Sequence, residues 1–196
     1  MLLLSKSSLP SVVDLIAPGN NLKGSWWSYP EAQTIFNVSE LLEDHPDVLV
    51  MKLIDSKVTF VHRELWSRIY SIGVAREKWQ TKALSPAARL LLKKIDAEGI
   101  VQTGVLGKTF DPKPGVAAKE LEFYLLIHSK QMHTSSGAHA KVLQTWDVWA
   151  KAAGFRGRAK DPSAARRFLD ERLTWIKNEY GGSGRFPWGQ KPQKPH

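Results

Sequence analysis

Two short apolar runs and the connection between them constrain this chain most. Val48-Leu49-Val50-Met51-Lys52-Leu53-Ile54 is rich in β-branched residues, as is Lys57-Val58-Thr59-Phe60-Val61-His62, and only Asp55-Ser56 separates them. Two such runs joined by two residues read as a β-hairpin. Helical spacing surrounds it. Ala32, Ile35, Phe36, Val38 and Leu42 share one face up to the stop at Glu43-Asp44-His45-Pro46, and Leu65, Trp66, Ile69 and Tyr70 share another. A short helix is predicted over Leu9 to Ile16, ended by the turn residues from Ala17 to Asn21.

The clearest helix begins at Ser85-Pro86, a capping hydroxyl followed by a proline suited to the first helical position, and Gly99 closes it. A short extended piece, Ile100 to Thr103, and a loop from Gly104 to Gly115 follow. A helix is predicted from Ala117 to Lys130. The next stretch, from Met132 to Leu143, admits either a helix capped by Ser136 or a hairpin turning at Ser135-Ser136-Gly137; the hairpin is preferred, with a helix after it from Gln144 to Ala153. Asp161-Pro162 opens the last helix, which ends at Tyr180-Gly181-Gly182. The fold class expected is mainly α with short β-hairpins (α+β). The segments expected are an N-terminal subdomain over 1–80, a second over 81–155, a helix over 156–184 and a basic extended tail over 185–196.

Composition narrows function by exclusion. With no cysteine among 196 residues, a disulfide framework, a thiolate zinc site and a cysteine nucleophile are ruled out. No apolar run approaches the roughly 18–20 residues of a membrane span, and Met1-Leu2-Leu3-Leu4 has neither the basic start nor the length of a signal peptide. A cytoplasmic protein is expected, nucleoid-associated if it binds DNA. No phosphate-binding glycine loop, dinucleotide fingerprint or nucleophile elbow is present.

Charge points towards a partner. The chain carries 28 Lys and Arg against 19 Asp and Glu, a net +9, and most of the excess lies after residue 150. A basic C-terminal quarter on a near-neutral body suits a polyanion, because neutralising phosphates releases counterions.

Helix, short strand, helix and polar hairpin over residues 84–150 is the order of a winged-helix module. The run Leu84-Ser85-Pro86-Ala87-Ala88-Arg89-Leu90-Leu91-Leu92, closed by Gly99, resembles the first helix of such domains. The Trp-rich chain and His133-Thr134-Ser135-Ser136-Gly137-Ala138-His139 are similar to bacterial winged-helix proteins grouped near the interstrand-crosslink DNA glycosylases. The loop from Gly104 to Val116 stands where such a module has a further helix. The resemblance implies a DNA-binding architecture; no glycosylase catalytic pair is matched residue by residue.

Several constellations could carry chemistry. His128, His133 and His139, with Glu120 and Glu122 upstream, could line a pocket; Glu122, His133 and His139 are the catalytic candidates. No cofactor is expected; the alternative is a divalent metal on His128, His133 and His139. Thr134, Ser135, Ser136 and Lys141 offer hydroxyls and a cation to phosphate, and His133, His139 and Lys141 are expected to form one solvent-accessible cationic site. Lys52, Lys57, Arg63, Arg156, Arg158, Arg166 and Arg167 are the further phosphate candidates, and Trp27 a stacking candidate. Lys52 sits among apolar neighbours, where edge solvation explains it better than an amine nucleophile does. Trp66, Trp146, Trp149 and Trp175 are expected in the core.

A nucleic-acid-binding protein, DNA before RNA, serving in repair or processing, is therefore the expected function. The alternatives are a nucleic-acid-modifying enzyme (a glycosylase/lyase or metal-assisted nuclease) and a protein-interaction module built on Trp26-Trp27 and the Pro-rich tail.

Overall fold

The structure is a computed structural model, and it describes residues 1–19, 25–106, 114–133 and 139–190. It is a mixed α+β fold with two antiparallel three-stranded sheets. The first sheet has the order β1-β3-β2, from β1 (Leu2–Leu3), β2 (Val48–Ile54) and β3 (Lys57–His62). The second has the order β4-β6-β5, from β4 (Ile100–Gln102), β5 (His128–His133) and β6 (His139–Gln144). Eight α-helices are described: α1 (Val12–Ile16), α2 (Ala32–Glu43), α3 (Trp66–Ala75), α4 (Lys78–Thr81), α5 (Pro86–Glu98), α6 (Pro114–Phe123), α7 (Trp146–Ala152) and α8 (Pro162–Tyr180). Among the described residues no helix is long and apolar enough to cross a membrane.

Local signals place most of these boundaries. Asp55 and Ser56 both have positive φ (50° and 59°), the backbone of a tight two-residue hairpin turn whose twist matches its strands. Ser85 Oγ accepts from the Ala88 N–H, Pro86 opens α5, and Gly99 at φ 76° ends it. Asp161 caps α8 through the Ser163 N–H, and Gly181 at φ 67° closes that helix. The stretch from Met132 to Leu143 forms the hairpin, not the helix; its strands pair from His128↔Gln144 to His133↔His139.

The helix predicted to reach Lys130 stops seven residues early, at Phe123. Leu125 adopts a left-handed backbone, φ 56°. Its N–H donates to the Glu122 carbonyl, and the Leu126 N–H reaches back to the Leu121 carbonyl. This is the bonding of a Schellman cap, with leucine where glycine is usual. Two distant side chains hold it. The Trp146 indole N–H donates to the Leu125 carbonyl at 2.7 Å, and the buried Gln80 amide donates to the Tyr124 carbonyl at 2.9 Å.

Three apolar clusters share the interior. One joins the first sheet to α3, α7, α8 and Phe186. One joins the second sheet to α5 and α6, and the third lies under α1 and α2. Close crossing of α3 over α7 needs Gly73, where a Cβ would lie 2.2 Å from the Trp146 indole nitrogen. Trp66, Trp146 and Trp149 are buried as expected, but Trp175 is not: it is 55% exposed on the outer face of α8. The segment expected as an extended tail behaves differently over 185–190. Asp55 and Arg185 exchange hydrogen bonds, the Asp55 N–H to the Arg185 carbonyl and the Arg185 N–H to Asp55 Oδ1. Phe186 then fills the main core, with Trp188 stacked on it. Residues 191–196 lie outside the described residues.

Candidate nucleic-acid interface

The candidates read from the sequence separate into two regions, a cleft between the sheets and a basic face at the start of α8. In the cleft, charge is mostly spoken for. Lys141 forms an ion pair with Glu122, whose side chain is only 9% exposed and that of Lys141 25%. The solvent-accessible cationic site expected from His133, His139 and Lys141 is therefore corrected at Lys141, which the β6 register turns towards α6. His133 and His139 are the last backbone pair of the hairpin. Thr134, Ser135 and Ser136 lie outside the described residues.

Glu120 and His128 have structural roles. The Glu120 carboxylate accepts from the Ser85 N–H at 2.7 Å and the Ser85 hydroxyl at 2.6 Å, tying α6 to the start of α5. His128 Nδ1 is 2.9 Å from the Gln144 amide nitrogen, and its other ring nitrogen bonds the Val50 backbone. A ring that accepts from Gln144 and donates to Val50 is neutral. Burial among Trp146 and Trp149 pushes its pKa down to about 4, against the smaller opposing effect of the Val50 bond. Among the described residues no three His, Asp or Glu side chains form a metal-holding group.

Two further arginines are neutralised. Arg63 pairs with Asp47 at 2.8 Å and lies 5.6 Å from the Trp66 ring centre. Arg166 pairs with Glu77, which also accepts from the Trp79 indole. Lys52 is exposed at the cleft mouth, as edge solvation requires, and Lys57 is half-buried at the start of β3. Trp27 is 60% exposed and stacks on Trp26 with ring centres 4.0 Å apart.

The basic face is built differently. Between α7 and α8 the chain runs extended, so side chains alternate. Phe155 and Gly157 are half-buried, while Arg156, Arg158 and Lys160 are exposed. Phe155 anchors the segment edge-on against Trp66 and Tyr70, and Gly157 passes so near that a Cβ would lie 1.9 Å from its ring. The Lys160 N–H donates to Ser71 Oγ at 2.8 Å, fixing the far end to α3. There Lys160, Arg167 of α8 and Arg68 of α3 line one groove of about 240 Å³, with Asp161 and Glu171 also on its wall. The Arg68 guanidinium lies 4.7 Å from the Phe168 ring centre, which orients it without neutralising it. Among the described residues none of Arg68, Arg156, Arg158, Lys160 and Arg167 has a carboxylate within ion-pair distance.

Comparison with protein-family models, with curated proteins and with solved structures returns no match for this chain. Its own residues must carry the functional reading. Charge counting along the sequence points to Arg156, Arg158 and Arg167. Lys160 and Arg68 are not among the phosphate candidates it yields, because nothing local signals that α3 crosses α8.

Proposed function

We propose that this chain binds nucleic acid, DNA before RNA, through the basic face where residues 156–160 meet α3 and the start of α8. One observation carries this reading. Arg68, Lys160 and Arg167 line one groove there, with Asp161 and Glu171 also on its wall, exposed Arg156 and Arg158 precede it in the chain, and among the described residues none of the five has a carboxylate within ion-pair distance. Lys and Arg with no ion-pair partner, held on a fixed backbone, are what phosphate contact requires.

A winged-helix-like module is part of the proposal. It is supported by the succession α5, β4, α6, β5, β6 and by β6 lying between β4 and β5. Here α6 exposes Lys119 but commits Glu120 to Ser85 and Glu122 to Lys141. The phosphate contacts are accordingly assigned to the basic face and not to that helix. A role in repair or processing follows only if a duplex is bound. The enzyme alternative needs a free Glu122, and no observation favours it over binding.

The test is fluorescence anisotropy of a labelled duplex across a salt series. Five phosphate contacts predict a slope of log affinity against log salt of roughly −4 to −5. Binding that is absent, or that does not respond to salt, overturns the proposal.

A further inference from the structure

Two sheet edges border one cleft. β2 ends the order β1-β3-β2 and β5 ends β4-β6-β5, and both line a cleft of about 350 Å³. That volume is in the range of small-molecule sites, roughly 300–1,000 Å³. Its apolar lining comes from Leu49, Met51, Ile127 and Trp149. At one side the neutral His128 ring spans from Gln144 to the Val50 backbone, which ties the two edges together and adds no charge.

The charges in the cleft nearly balance. Lys141 and Glu122 neutralise one another in an ion pair. Glu43, at the end of α2, has its pKa raised chiefly by burial and drawn down in part by Lys130 on β5. Lys52, on β2, is exposed and has no ion-pair partner among the described residues. Three lysines and two glutamates leave one positive charge, carried on the facing edges by Lys52 and Lys130.

We infer that this cleft binds a small organic monoanion with an apolar or aromatic body, of the monocarboxylate class, its head towards Lys52 and Lys130 and its body against the apolar lining. A neutral ligand forgoes the lysines, and a dianion places its second charge against Glu43. The site is independent of the nucleic-acid reading, because it shares no residue with the basic face.

The experiment titrates the ¹⁵N-labelled full chain with benzoate, phenyl phosphate and benzyl alcohol, following backbone amides by NMR. Benzoate is expected to shift amides in 48–52 and 127–131, and to bind at least about tenfold tighter than the other two. Both lysines are exposed, so Lys52→Gln/Lys130→Gln leaves the fold intact, and it should weaken benzoate by about tenfold. The inference is overturned if benzoate shifts no amides or only those elsewhere. It is equally overturned if benzyl alcohol or phenyl phosphate matches benzoate, or if the double variant binds benzoate as the parent does.

Discussion

In the inter-sheet cleft a lysine is ion-paired with a buried glutamate, whereas around the start of α8 five cations have, among the described residues, no ion-pair partner, although Asp161 and Glu171 line the same groove as three of them. The residue types are the same and the consequences differ. A cation paired inside a fold is a packing element whose removal is felt as lost stability. A cation left unpaired on the surface costs folding little, and its energy is available to a partner. Net charge does not separate these cases; pairing does. Of the eight Lys and Arg candidates read from the sequence, Lys141, Arg63 and Arg166 are paired. Among the described residues Arg156, Arg158 and Arg167 are not; Arg167 lines one groove with Lys160 and Arg68, and Arg156 and Arg158 are exposed on the extended segment before it.

The largest effect should come from the basic face. Arg156→Ala/Arg158→Ala/Lys160→Ala/Arg167→Ala removes four contacts of about 1 kcal/mol each, a loss of several hundredfold in duplex affinity. The salt slope should shrink by roughly four while the urea midpoint stays put. Anisotropy and urea melts on the same preparation check both halves. A stability loss without an affinity loss would make the basic face structural and erase the comparison.

How far these regions could be read from sequence depends on the range of the forces involved. The Asp55-Ser56 turn, the Ser85-Pro86 start, the Gly99 stop and the Asp161–Gly181 limits of α8 are set by residues adjacent to the feature, and all were legible. The end of α6 was not. Its left-handed residue is a leucine, held by Gln80 and Trp146 from 44 and 21 residues away. The Lys141–Glu122 pair is likewise long-range, spanning 19 residues, so a lysine that looked free on a polar hairpin proved committed. Trp175 misled for a related reason. Helical periodicity marks a face, but Leu169 and Leu173 already fill the inner one, which leaves the indole outside.

His128 tests the cleft through pH. Its folded pKa, about 4, is below the unfolded value near 6.5, so the unfolded chain binds more protons between those limits. Stability therefore rises with pH through that window and is lost as pH falls from about 6.5 towards 4, by up to about 3 kcal/mol. Urea melts at pH 4.5 and pH 7 should show the difference, and His128→Gln should reduce it. A parent whose stability is flat over that range would mean that the ring is not held neutral by burial.

Breaking the buried pair comes next in size. Lys141→Met strands Glu122, a change worth 3–5 kcal/mol when both partners are fully buried. The Lys141 side chain keeps 25% of its exposure, so about 2 kcal/mol is expected. Glu122→Met/Lys141→Met should recover most of that loss in urea melts, because no charge is then left alone. Duplex affinity should be unchanged in both variants; a fall in Lys141→Met alone would return the hairpin to the nucleic-acid interface.

Arg63 gives the smallest effect and the sharpest control. It carries the same formal charge as Arg158, but it is paired with Asp47 and rests over the Trp66 ring. Arg63→Ala should cost less than about 1 kcal/mol of stability, since the pair is largely exposed. If pairing decides which cations meet phosphate, the same change should leave duplex affinity and salt slope as they are. Arg158→Ala should lower affinity by roughly fivefold and reduce the slope by about one. Equal losses from Arg63→Ala and Arg158→Ala would mean that binding reads only the overall field of the protein. The geometry of the basic face would then count for nothing, so this pair of single substitutions separates a built interface from a merely positive molecule.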